Sequence, residues 1–190
     1  MQQRLVFDQT LEGLFIRGLS GQITPGLKSQ LRGVGVDLDR KLLPAYPFPT
    51  WGSCVAVVVR ELYGRQPFEV AYRELGERMV DGYRETMWGR PLFSVLQLLG
   101  PRRVIGRAQQ SFRSGNNYTE IRSRVLSPLC QELWVNEAGP TRYLMQGALL
   151  AGLRGSGARE PRVELKLFTE HDVTFHVTWE EDPAWSRPGL

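Results

Sequence analysis

Cysteine and histidine are scarce in this chain of 190 residues: Cys54 and Cys130 are its thiols, His171 and His176 its imidazoles. That scarcity excludes whole classes of chemistry. A secreted disulfide scaffold needs several cysteines, and two in a chain this long fit a reducing compartment. Structural zinc needs clustered Cys and His ligands, yet neither CxxC nor HExxH occurs. His171 and His176 fall in one predicted hairpin, at opposite ends or on opposite faces, so no metal or catalytic role is assigned to them.

Long apolar runs are lacking too. No stretch approaches the roughly 18 residues needed to span a bilayer. The opening MQQRLVFDQTLEG lacks the apolar core and cleavage site of a signal peptide, so the expected location is the cytoplasm. A phosphate-cradling GxxxxGK[ST] and a GxSxG nucleophile elbow are both missing. No cofactor is expected.

What is present is an ordinary globular composition, 42% hydrophobic and 23% charged, with a net charge of +4. Residues 1–180 read as one domain and 181–190 as a fraying tail. TPG opens a short helix, with Thr24 as cap and Pro25 in the first turn. VDLDRKLLPAYPFPTW, with Pro44, Pro47 and Pro49, reads as an extended connector that excludes a helix. A helix is expected from Trp51 to Gly64. In the next, Phe68, Tyr72, Leu75, Met79 and Tyr83 recur at helical spacing as a core stripe. RPLFSVLQLLG and PRRVIGRAQQSFRSG predict two further helices parted by Gly100-Pro101.

The pattern then changes period. YTEIRSRVL and QELWVNE alternate like an antiparallel strand pair. PTRYLMQGALLAGLRGSG returns to helix, with Gly147, Ala148 and Ala151 on a close-packing face. In the closing hairpin Val163, Leu165 and Leu167 alternate, as do Val173, Phe175, Val177 and Trp179, with His176 turned to solvent. Helices first and strands later predict an α+β fold: N-terminal helices, with no strand among them, packed on a C-terminal, mainly antiparallel four-stranded sheet.

One stretch, QQSFRSGNNYTEIRSRV, is dense in polar groups. Residues 100–125 carry Arg102, Arg103, Arg107, Arg113, Arg122 and Arg124 against Glu120 alone, a local charge of +5. Arg103, Arg107, Arg113, Asn116, Asn117 and Arg122 form a candidate surface for an acidic partner or anion. Phe112 and Tyr118 among the arginines leave nucleic-acid binding open as an alternative. The simpler reading is structural: a helix stop at SGNN, with Gly115 or Asn116 at positive φ, then a strand from Tyr118 whose arginines pair with Glu132 or Glu137.

Several stretches resemble an uncharacterised paralogous family of about this length, expanded in myxobacteria: EGLFIRGL, GVDLDRKLLPAYP, AYRELGERMVDGYRETMWGR, LLGPRRVIGR, FRSGNNYTE and ELWVNEAG. They run in order through nearly the whole chain. The last third, from YLMQGALL to TFHVTW, is distantly similar to 4-vinyl reductase domains, which share an α+β superfold with haem–nitric-oxide-binding domains and TRAPP tethering subunits. That resemblance implies either an apolar small-molecule pocket between helices and sheet or a surface for partner proteins. Haem-binding members use an axial histidine on a helix, and both histidines here lie in the hairpin, so haem and zinc are disfavoured. Cys54, on a helix, is expected to be a buried, inert thiol.

The resulting expectation is a non-enzymatic cytoplasmic regulatory module binding a protein partner or a small apolar ligand. Trp51, Tyr72, Tyr83, Trp88, Phe93, Trp134 and Tyr143 are the candidate pocket lining. An enzyme with an unrecognised site is the rival, and a homodimer stays open.

Overall fold

A computed structural model describes residues 3–180; the tail expected at 181–190 lies outside the described residues. Leu5–Phe7 (β1) pairs antiparallel with Ala45–Pro47 (β2), a small sheet in what the sequence predicts as a purely helical front half. The pairing spans some forty residues, so no local pattern announces it.

Asp8–Leu11 (α1) runs directly into a π-helical segment, Glu12–Gly18, in which the Leu19 amide donates to the Leu14 carbonyl at 2.9 Å. Such i→i+5 bonding brings residues five apart onto one face. Gly13 and Gly18 thereby both meet α4 (Phe68–Arg84), at Tyr83 and at the Arg78 carbonyl.

Pro25–Gly33 (α2) starts where Thr24–Pro25 predicts, the Thr24 hydroxyl accepting from the Leu27 amide at 3.2 Å. The connector after it is not extended throughout: it turns at residues 38–40 and is strand only at Ala45–Pro47. Phe48–Tyr63 (α3) already includes Pro49, which corrects the expectation that this proline-rich stretch excludes a helix. In the first turn a proline's missing N–H has no intrahelical partner to lose.

Of the predicted stripe on α4 only Leu75 is fully buried; Tyr72, Met79 and Tyr83 are partly buried and Phe68 is half exposed, while Ala71 and Gly76, outside the stripe, are covered. Gly89–Leu99 (α5) follows. The single helix expected after Pro101 is two, Pro101–Gly106 (α6) and Ala108–Arg113 (α7), because Arg107 leaves helical geometry at φ −108°, ψ 7°.

The second half is a four-stranded antiparallel sheet in the order β3-β4-β6-β5: Ile121–Ser127 (β3), Cys130–Val135 (β4), Arg159–Phe168 (β5) and Val173–Glu180 (β6). Thr141–Gly155 (α8) connects β4 to β5 across one face. Leu133, Val173, Phe175 and Val177 are fully covered beneath Met145, Leu149 and Leu153, each large side chain adding roughly 1.5–3 kcal/mol. The predicted alternation holds along β6. On β5 it stops at Leu165, because the register shifts before Leu167 and turns that side chain outward.

Three apolar clusters result. One joins the N-terminal helices and β1 to Trp51, Leu75 and Leu144; a second lies between α8 and the sheet; a small third consists of Phe93, Leu96 and Val104. No helix among the described residues is long and apolar enough to cross a membrane.

Candidate functional site

Where the three clusters meet, the packing is incomplete. Ala108 on α7 and Ala148 and Gly152 on α8 are too small to close the gap, and a cavity of about 140 Å³ remains. Its walls are Met79, Val80 and Tyr83 of α4, Leu92, Phe93 and Leu96 of α5, Val104 and Ile105 of α6, and Leu149 and Leu153 of α8. A Cβ added to Gly152 would meet nothing within 4 Å. The polar groups lining the cavity are mostly hydroxyls, from Thr10, Tyr83, Ser111 and Ser114, together with Asn116. The Tyr83 hydroxyl lies 3.3 Å from Ser114 Oγ, which donates to the Ser111 carbonyl at 2.7 Å.

A second chamber of about 50 Å³ adjoins the first and shares Thr10, Met79, Phe112, Asn116 and Ala148 with it. Its other walls include Trp51, Phe48, Tyr118, Thr119, Glu137 and Thr141. Burial holds the Glu137 carboxyl above the ordinary glutamate range, against the smaller opposing pull of Thr141 and Arg4. The Arg4 guanidinium stacks on the rings of Phe48 and Tyr118, 4.2 and 4.1 Å from their centres, and reaches within 3.8 Å of Glu137. Burial also pushes the Tyr118 phenol far up.

The seven aromatic candidates do not share one space. Tyr83 and Phe93 line the larger cavity and Trp51 the smaller chamber. Tyr72 is half-buried on α4, and Tyr143 stacks edge-on against Phe68 at 5.6 Å. Trp134 lies on the outer face of the sheet with the Arg122 guanidinium over its ring at 4.6 Å, and Trp88 is exposed. The wall residues that sequence reading passes over, from Thr10 to Leu153, come from six separate segments and share no motif.

The basic candidates are dispersed. Arg103 borders a broad outer groove of about 980 Å³ that ends at Trp179 and Glu180, where the described chain stops. Arg107 is exposed, and Arg113 donates to the Thr119 carbonyl at 3.2 Å. Asn116 accepts from the amides of Tyr118 and Thr119 and donates to the Phe112 carbonyl. Asn117 holds the first strand, accepting from Leu5 N at 2.8 Å and donating to the Gln3 carbonyl at 3.0 Å. Neither Gly115 nor Asn116 takes a positive φ, which corrects that expectation. Glycine is needed at 115 because a Cβ there would press on Thr10 Oγ1 at 2.5 Å. The strand itself starts at Ile121, three residues later than expected, because Asn116 and Asn136 take the backbone groups of residues 118–120.

On the outer sheet face, Glu132 is gripped by Arg124, at 2.5 Å, and by Lys166, and these hydrogen bonds hold its carboxyl below the ordinary range. His176, next to it in register, lies 2.9 Å from Cys130 Sγ and is therefore only partly solvated. Cys54 is fully buried, and burial pushes its thiol up to about 12.

Among curated proteins none matches the chain. Solved structures with the same fold include H-NOX domains. One studied for H-NOX activation superposes with a TM-score of 0.66 at 14% identity, covering 93% of this chain and 97% of that one. The Fe(II) unliganded H-NOX protein from K. algicida gives 0.66 at 7%, covering 92% and 96%. A third, solved to examine haem redox potential under porphyrin distortion, gives 0.62 at 15%, covering 91% and 95%. At these identities the likeness is one of fold, and it agrees with the superfold that the last third of the sequence resembles. Residues 4–180 match the family model described as protein of unknown function, DUF2378, and the chain belongs to that family.

Proposed function

We propose that the chain is a non-enzymatic regulatory module whose signal is a small apolar molecule held in the cavity behind α5. The observation that carries this reading is the cavity itself. Apolar cavities of about 150 Å³ stay dry and take up molecules such as benzene or xenon, and this one measures about 140 Å³. A binding role is favoured over a catalytic one by the lining, which offers contact surface and hydroxyls instead of a paired acid and base.

The H-NOX fold raises the question of haem, and haem does not fit. The cavity lies below the roughly 300 Å³ at which pockets for larger ligands begin. Among the described residues no histidine or cysteine lines it, and no lysine or arginine is there to meet a propionate. The lining side chains of a kind that ligates haem iron are Met79 and Tyr83, and Tyr83 is already engaged with Ser114 and Gln9.

Helix α5 gives the module an output. Phe93 and Leu96 face the cavity, while Trp88, Pro91, Val95 and Leu98 form an exposed apolar row at spacings of three, four and three. Occupancy behind the helix would change the face it offers to a partner protein. That row favours the second reading, a protein partner, and a second copy of the chain is one candidate; sedimentation as a monomer at high concentration would remove it. The two unpaired thiols support a cytoplasmic setting.

Benzene tests the reading. At concentrations well above its Kd it should raise the melting temperature of the wild-type protein. Gly152→Leu, which fills the cavity from a position with free space, should fold and show no response. A wild-type protein indifferent to benzene contradicts the reading.

A further inference from the structure

From the chamber beside the cavity we infer the chemical class of the ligand: an uncharged amphiphile whose apolar body fills the cavity behind α5 and whose single hydroxyl points to Thr119 and Glu137. The inference rests on the proposed reading of that cavity as a small-molecule site.

The two spaces are chemically unlike. The larger is walled mainly by aliphatic and aromatic side chains, with hydroxyls and Asn116 but, among the described residues, no ionisable carboxyl, whereas the smaller brings Thr119, Glu137 and Thr141 together beside Trp51 and Phe48. Thr119 is fully buried, and its Oγ1 has no hydrogen-bond partner among the described residues. A buried hydroxyl without a partner is costly, and native proteins keep few of them. Glu137 is 5% exposed, with Arg4 Nη2 no nearer than 3.8 Å. The Thr141 hydroxyl lies 2.5 Å from the Ala138 carbonyl and 2.9 Å from Glu137 Oε2. It has one proton to donate. If that proton goes to the closer carbonyl, a protonated Glu137 can donate in return, and every contact in the group is then satisfied.

An unpartnered hydroxyl beside a carboxyl whose charged form burial disfavours selects for a neutral, hydrogen-bonding head. A ligand hydroxyl can donate to Thr119 or accept from it, which an isosteric methyl cannot do. A charged head costs more to bury than a hydroxyl. An anion would face Glu137 with Arg4 Nη2 no nearer than 3.8 Å, and a cation could pair with Glu137 only by ionising a carboxyl whose charged form burial disfavours.

Three probes of one shape test this by calorimetric or NMR titration of the whole chain: methylcyclohexane, cyclohexanol and cyclohexylammonium. Cyclohexanol should bind about three- to tenfold more tightly than methylcyclohexane, the worth of one net hydrogen bond, and cyclohexylammonium more weakly than either. Thr119→Val should abolish the preference for the alcohol while methylcyclohexane still binds, and Thr119→Ser should retain it. Should the valine variant fail to fold, the ranking on the wild-type protein decides alone. Equal binding of the alcohol and the hydrocarbon, or tightest binding of the ammonium, overturns the inference and leaves the apolar site standing. No binding by any of the three removes the site and the inference with it.

Discussion

Gly76 and Gly147 face each other's helix backbones where α4 crosses α8: a Cβ on Gly76 would overlap the Leu144 carbonyl, and one on Gly147 the Arg73 carbonyl. Glycine normally weakens a helix by about 1 kcal/mol relative to alanine. At these two positions that loss permits backbone contact between the helices that join the N-terminal cluster to the sheet layer.

Gly76→Ala and Gly147→Ala should each therefore destabilise the protein by about 1–3 kcal/mol, as overpacking does, despite the gain in helix propensity. Gly152→Ala, on the same helix with open space around it, should stabilise by about 0.5–1 kcal/mol. Urea unfolding midpoints read all three, and a uniform gain would show that the close crossing is not what these glycines serve.

Asn117 acts as a piece of strand. Its amide oxygen accepts from Leu5 N and its amide nitrogen donates to the Gln3 carbonyl, continuing a ladder in which Phe7 N donates to the Gly115 carbonyl. Asn117→Ala leaves the partly buried Leu5 amide without its partner and should cost about 1–3 kcal/mol. Amide exchange at Leu5 should accelerate more than exchange in β6. Unchanged protection at Leu5 would mean that β1 is held by its pairing with β2 alone.

Glu132 and Glu137 should respond to pH in opposite directions. The Glu137 carboxyl is held above its ordinary value near 4.5 by burial, so the unfolded chain ionises first as pH rises. Stability should fall from about the unfolded value upward until the folded group ionises too, and Glu137→Gln should gain on the wild type between pH 4 and 7. Glu132 is held below that value by Lys166 and Arg124. Its contribution is complete above the unfolded value and lost as pH falls through the folded one. Glu132→Gln should thus be less stable than the wild type at pH 7 and lose that deficit in acid. Denaturation midpoints at the two pH values check both signs.

The thiols should separate by reactivity. Cys54 is fully buried with its thiol near 12, whereas Cys130 is partly exposed beside His176. Burial and the neighbouring Glu132 also raise the Cys130 thiol, so its labelling should be slow. A disulfide-exchange reagent should count one thiol in the native protein, at Cys130, and two after denaturation. Rapid labelling of Cys54 would contradict its place in the core.

Much of the fold was legible because its causes are local. Thr24 and Pro25 carry a helix start in their own side chains, and Val173, Phe175, Val177 and Trp179 carry a half-buried strand in their alternation. Features whose causes lie elsewhere in the chain were not legible. The π-helical turn exists because Gly13 and Gly18 must both reach α4, and β1 exists because residues 45–47 and 115–117 flank it. Pro49 misled because proline forbids a helix interior but suits its first turn. The cavity is the extreme case. It is made by what Ala108, Ala148 and Gly152 leave unfilled across separate helices, and an unfilled volume has no residue pattern. Aromatic richness pointed to Tyr83 and Phe93 but equally to Trp88 and Trp134, which lie on outer surfaces.

The central claim, that the space behind α5 receives a small apolar molecule, is tested most directly by methyl NMR during titration with benzene. The account predicts shifts concentrated on the methyls lining the cavity, those of Met79, Val80, Leu92, Leu96, Val104, Ile105, Leu149 and Leu153, in the wild-type protein, and none in Gly152→Leu. Undisturbed methyls in the wild-type protein, or the same shifts in both proteins, would contradict it.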